Sequence, residues 1–151
     1  MSRKYIDIGA NLLDGMFQGT YHGKQRHPAD LSSVLQRAWS NGLSHIIVTA
    51  GNLQESRDAL NFVADDARLF STVGVHPTRT NEFESKQNEC DYLEELIKVA
   101  KRGVASGKIV AVGECGLDYD RLHFSDKETQ LKHFDKHFRL WTDWILCVDA
   151  D

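Results

Sequence analysis

Ile109–Asp118 reads I-V-A-V-G-E-C-G-L-D, and its reading decides the class of fold. Ile109 to Val112 is an apolar run with β-branched residues at three of four positions. Such a run suits a strand buried on both faces, as in a parallel sheet. Gly113 breaks the run and delivers Glu114 to the strand's C-terminal end, with Cys115, Gly116 and Asp118 following. Parallel α/β sheets present their chemistry at that end of their strands. A helix cap or an ordinary loop acid is the alternative reading of the same residues.

Working outward, the same alternation recurs. Tyr5–Ala10 reads as a first strand, with Asp7 inside it and Gly9 and Asn11 near its end. Leu12–Pro28 is a glycine-punctuated loop carrying His22, Lys24, Arg26 and His27, either a solvated face or a phosphate-contacting loop. Asp30 opens a helix with Leu31, Val34, Leu35, Ala38 and Trp39 at helical spacing and Gly42 at its end. His45–Thr49 reads as the second strand, and Asn52 with Glu55 resembles a capping box before a helix carrying Ala59, Leu60 and Val63. Leu69–Val75 reads as the third strand and ends at His76-Pro77, where the proline disfavours α geometry at His76. Tyr92, Leu93, Leu96, Val99 and Ala100 mark a helix stopping near Gly103.

After the opening stretch, Ser125-Asp126-Lys127-Glu128 reads as a capping box with Ser125 at the cap. Its helix sets Leu131, Phe134, Phe138 and Trp141 on one apolar face. His133 and His137 are four apart, a spacing able to grip zinc, but Phe134 stands where the zinc-protease glutamate belongs. They read as surface or packing histidines. Trp144–Val148 is apolar enough for a short strand.

Strands alternating with helices predict a parallel sheet with right-handed crossovers. The predicted strand ends carry Asn11, His76 and Glu114 to one face. A carboxylate and an imidazole converging there suit a metal site or a general acid/base pair.

Composition bounds the function. The 151-residue chain has 41% hydrophobic and 26% charged residues and a formal net charge of −4. That balance argues against broad basic coating of nucleic acid, though metal-assisted contact with phosphate needs no basic face. Three widely separated cysteines, Cys90, Cys115 and Cys147, imply no disulfide framework and point to a reducing, intracellular compartment. No signal-like run or span of about 18 apolar residues appears, so no membrane partner is expected.

Four motifs in order, I-D-I-G-A-N-L (Ile6–Leu12), T-A-G-N-L (Thr49–Leu53), S-T-V-G-V-H-P (Ser71–Pro77) and V-G-E-C-G-L-D (Val112–Asp118), resemble the TatD family of metal-dependent deoxyribonucleases. The insertion around Tyr21–His27 is most similar to its eukaryotic branch. The resemblance implies α/β architecture, here the N-terminal half of a (β/α)8 TIM barrel with four clear parallel strands. It implies a divalent cation, Mg2+ or Mn2+ with Zn2+ as an alternative, and DNA as substrate, hydrolysed as by a 3′→5′ exonuclease. By the resemblance, Glu114 matches a metal-bridging glutamate. His76 matches the histidine of a G-x-H-P motif at the catalytic pocket. Asp7, Asn11 and Asp118 are site-lining candidates. Many relatives read D-x-H-x-H in the first strand; here Gly9 and Asn11 replace the histidines while Asp7 is kept.

A complete TIM barrel takes about 250 residues and eight strands. The expectation is therefore an incomplete barrel over residues 1–140, followed by a divergent tail from 141 to 151, in a weakly active or inactive chain that self-associates through open sheet edges. A D-aminoacyl-tRNA deacylase-type hydrolase and a non-catalytic regulatory or interaction fragment are the alternatives. The resemblance places the protein in the nucleus, with the cytoplasm as the other compartment.

Overall fold

The computed structural model describes residues 3–84 and 89–148, with side chains for all of these except 89–90 and 143–148. Four strands form one parallel sheet: β1 (Tyr5–Ala10), β4 (Leu43–Val48), β5 (Leu69–Val73) and β6 (Ile109–Val112), in that order across the sheet. Between β1 and the first helix lie a 3-10 turn at Gly15–Gln18 and a two-residue hairpin, β2 (Thr20–Tyr21) with β3 (Lys24–Gln25). Residues Leu12–Pro28, read from sequence as a loop, therefore hold a small built element. Gly19 is essential to it: its φ is +79°, and an added Cβ would collide with the His27 carbonyl.

Three helices lead from strand to strand, α1 (Leu31–Ser40), α2 (Leu53–Phe62) and α3 (Glu89–Ala105), and two follow β6, α4 (Lys127–Phe134) and α5 (Lys136–Val148). Alternate residues of β4 and β5, namely Ile46, Val48, Leu69 and Val73, are buried, as the two-residue period of a strand requires. One core cluster joins Ala10, Ile46, Val48, Ala59, Val63 and Leu69 under α1 and α2. The other joins Val73, Val75, Phe83, Tyr92, Leu96, Ile109 and Leu140 under α3 and α5. Tyr92 ties α3 to the start of α2: its hydroxyl accepts from the Leu53 amide at 3.0 Å and donates to Glu82 at 2.9 Å. Burial there pushes the phenol's ionisation well upward.

Several sequence expectations are corrected. The second strand begins at Leu43 rather than His45 and ends at Val48, and the third ends at Val73, leaving Gly74 and Val75 to turn out of the sheet. Asp126, not Ser125, caps α4, accepting from the Thr129 amide at 2.8 Å. Ser125 is buried instead against Thr80 at 2.6 Å. Trp144–Val148 is helical, the end of α5, because the helical hydrogen-bond pattern carries through it without a break. The apolar face of α4 and α5 is not buried throughout, for Leu131, Phe138 and Trp141 are exposed. Residues 149–151 lie outside the described residues. Among the described residues, no helix is long and apolar enough to cross a membrane.

Candidate functional site

Thr49-Ala50-Gly51, the exit of β4, ties the other strand exits together. The Thr49 hydroxyl donates to Asn11 Oδ1 at 2.8 Å, and the Thr49 amide donates to the Ala10 carbonyl at 3.1 Å. The Ala50 carbonyl accepts from the Glu114 amide, and the Gly51 carbonyl from the His76 amide, each at 2.9 Å. The Gly51 amide donates to Glu55 Oε2 at 2.9 Å. That glutamate completes a variant of the expected capping box, reaching one residue further back than the cap, while Asn52 Oδ1 accepts from the Glu55 amide at 2.8 Å.

The Ala50–Glu114 bond joins the exits of β4 and β6 across β5, which lies between them. Gly74 permits the crossing. A Cβ there would stand 2.7 Å from the Gly113 carbonyl carbon and 2.8 Å from the Glu114 oxygen, both backbone atoms that have no room to give. The chain after β6 therefore lies directly on Gly74, and the Gly113–Glu114 peptide within it is cis.

This folding-over opens a cleft of about 600 Å3 lined by His76, Gly113, Glu114, Cys115, Asp118 and Asp120, among others. His76 is extended, at φ −58° and ψ 142°, as its following proline requires. Its Nδ1 accepts from the Thr78 amide at 3.2 Å and sits 2.7 Å from the Thr78 hydroxyl. With Nδ1 accepting, the neutral ring carries its proton on Nε2, a donor left for whatever enters the cleft. Glu114 is exposed, and its carboxylate has no hydrogen-bond or ion-pair partner among the described residues.

Asp118 is in the same cleft but is committed to its own loop. Its Oδ1 accepts from the amides of Asp120 at 3.1 Å and Arg121 at 3.2 Å, and its Oδ2 lies 2.7 Å from Arg121 Nε. Burial opposes its ionisation, but the Arg121 charge and those amides outweigh it and hold the carboxyl below the usual range. Asn11 lines a separate groove of about 310 Å3 with Thr49, Asp14, Glu55 and Asp58. Asp7 stands exposed in β1, turned onto the Gly9 amide at 3.0 Å, and lines neither the cleft nor the groove. The structure thus gathers His76, Glu114 and Asp118, connects Asn11 to them through Thr49, and leaves Asp7 apart.

Residues that sequence reasoning did not single out hold this rim. Gln130, fully buried on α4, accepts from the Asp118 amide at 2.7 Å and donates to the carbonyls of Asp118 and Ser125, each at 2.9 Å. Asn81 donates to the Phe124 carbonyl at 2.7 Å. A polar residue amid the apolar positions of α4 was the available signal for Gln130. Thr49 opens the T-A-G-N-L motif, but it was not singled out as a site residue. His133 and His137 are packing histidines: His133 stacks on Phe83 with ring centroids 4.7 Å apart, and His137 is 5% exposed. Cys115 is a free thiol, and burial raises its ionisation.

The family model described as "TatD related DNase" matches residues 6–148. The chain belongs to the TatD family. It is 40% identical over 140 residues to the protein named Deoxyribonuclease Tat-D of Schizosaccharomyces pombe, covering 92% of this chain and 45% of that protein. To the "3'-5' ssDNA/RNA exonuclease TatD" of Shigella flexneri it is 31% identical over 150 residues, covering 96% of this chain and 50% of that protein. The crystal structure of a hydrolase TatD family protein from Entamoeba histolytica superposes with a TM-score of 0.84 at 45% identity, covering 96% of this chain and 48% of that one. The chain spans about half the length of the curated relatives it matches. Its parallel sheet with covering helices is accordingly half of a TatD TIM barrel, as the motifs led one to expect.

The divalent cation that the family implies does not find a complete site here. Among the described residues, no group of three or more histidines, cysteines, aspartates or glutamates is placed to hold a metal ion. Glu114 and Asp120 are the available carboxylates of the cleft among the described residues; Asp118 is already satisfied by Arg121 and two amides. Exposed carboxylates with no third ligand bind a divalent cation weakly, because affinity needs several converging oxygens or nitrogens.

Proposed function

We propose that this TatD-family chain acts on phosphodiester bonds of DNA, with Glu114 and His76 as the residues that meet the scissile group and Asn11 and Asp118 in supporting positions. The observation that carries the reading is the shared cleft, in which an unpartnered carboxylate and an imidazole donor are held by neighbouring backbone bonds to Ala50 and Gly51. A neutral His76 offers Nε2–H to a phosphate oxygen, a contact that gains strength as charge develops there. Relatives named as a deoxyribonuclease and as an ssDNA/RNA exonuclease support nucleic acid as the ligand. With no third ligand placed beside the free carboxylates of Glu114 and Asp120, the chain alone is a slow catalyst.

The test is the full chain with end-labelled single-stranded DNA and magnesium, manganese or zinc. The expected result is slow release of nucleotides from the 3′ end, abolished in Glu114→Ala and reduced about a hundredfold in His76→Ala, within the range that general acid–base or oxyanion contacts contribute. Hydrolysis unaffected by Glu114→Ala, or cleavage of D-aminoacyl-tRNA with none of DNA, overturns the reading.

A second reading, self-association through β1, is favoured by the exposure of Ile6 at 56% and Ile8 at 74% on an edge strand. Light scattering that shows a monomer at all concentrations removes it.

A further inference from the structure

Val75 lies past the last paired residue of β5, and β6 has already turned away over Gly74 toward Ala50. Its amide is fully buried and has no strand to bond. The bond comes instead from sixty-two residues away: the Val75 amide donates to His137 Nε2 at 3.0 Å, from the first turn of α5. The next residue is His76. An amide donor requires a lone pair on Nε2, so His137 is neutral with its proton on Nδ1. Its ring stands edge-on to Phe83, with centroids 6.3 Å apart, and borders an apolar pocket with Val112, Phe134, Phe138 and Trp141. Burial favours that same neutral form.

We propose that His137 is a positioning residue for the cleft: by accepting the Val75 amide hydrogen it fixes the exit of β5 and so sets where His76 stands relative to Glu114. The inference rests on the reading of His76 and Glu114 as the residues that meet substrate. Two neighbouring observations give it content. The His76 amide is bonded to Gly51, so the exit of β5 is anchored on successive residues by two different parts of the chain, α5 at Val75 and the exit of β4 at His76. The other edge of the cleft is held from the adjoining helix, by Gln130 on Asp118. The α4–α5 unit therefore grips both walls of the cleft through side-chain bonds to backbone.

The bond has a direct spectroscopic signature. In the full chain labelled with 15N, a through-hydrogen-bond 15N–15N coupling is expected between the Val75 amide and His137 Nε2, with the His137 proton on Nδ1. Its absence, or a proton on Nε2, overturns the proposal without recourse to any variant. His137→Gln keeps an acceptor oxygen and is expected to leave the His76 ring resonances and Val75 amide exchange unchanged. His137→Leu removes the acceptor; Val75 exchange is expected to quicken about tenfold or more, since a buried amide is left unbonded, and the His76 resonances to move. Unmoved His76 resonances in a folded Leu variant overturn the positioning role. In the DNA assay His137→Leu is expected to lower kcat with KM little changed, and His137→Gln to restore it. Should the wild-type chain not cleave DNA, the functional reading falls while the coupling and exchange still decide the role of His137.

Discussion

The exits of β5 and β6 and the body of β1 are built to different standards. Around β5 and β6, Gly74 lies under the Gly113–Glu114 backbone, Val75 is held by His137, His76 by Gly51, Glu114 by Ala50, and Asp118 by Gln130. In β1, Tyr5, Ile6 and Ile8 are more than half exposed, its register with β4 slips twice, and Asp7 turns back on its own strand. The difference teaches that a candidate residue's value lies in what holds its backbone. Glu114 and His76 sit on anchored chain; Asp7 does not.

If that contrast is right, the largest effect should come from the tightest packing. Gly74→Ala is expected to destabilise by about 3 kcal/mol, since the clash is with backbone and overpacking of this kind has no cheap relief. Denaturant unfolding measures it, and a loss of under about 1 kcal/mol would mean the β6 exit is not pinned there. Gln130→Ala is expected to cost about 2 kcal/mol, because three backbone groups lose a buried partner at once.

A pH series sharpens the comparison further. The folded state holds His137 below its ordinary value of 6.5, chiefly through burial. The unfolded chain takes up that proton first, so stability should decline as the pH falls through 6.5 and level off only below the folded value. Urea midpoints for wild type and His137→Gln should converge as the pH drops, and parallel curves would remove His137 from the account. At the smallest end, Asn11→Ala at the foot of the rim should cost about 0.5 kcal/mol for one exposed bond to Thr49. Ile8→Thr should change stability by no more than about 0.5 kcal/mol, because the side chain is 74% exposed. A large loss at Ile8 would show that β1 is covered in solution, as by a second copy.

In β4, β5 and α3 the periodicities were readable because burial forces them. Ile109–Val112 announced a parallel strand, though not one buried on both faces, for Val110 is exposed; Leu93, Leu96 and Ala100 announced a helix facing it, and Pro77 the extended His76. The motifs around Asn11, Thr49, His76 and Glu114 carried the family, since each is a strand exit and strand exits in a parallel sheet share one face. Local patterning went astray where a side chain's partner is remote. Ser125 has the right residue type for a cap but is bonded to Thr80, forty-five residues away. Trp144–Val148 has strand-like composition but continues α5.

The alternation, the parallel class and the identity of the residues at the exits were legible in the residue order, because those depend on local spacing and on side-chain chemistry. It took the folded arrangement to show that Glu114 reaches Ala50 over Gly74, that Asp118 is consumed by its own loop, and that His137 accepts the Val75 amide hydrogen just past β5. Such bonds join residues far apart in the chain, and no local period encodes them.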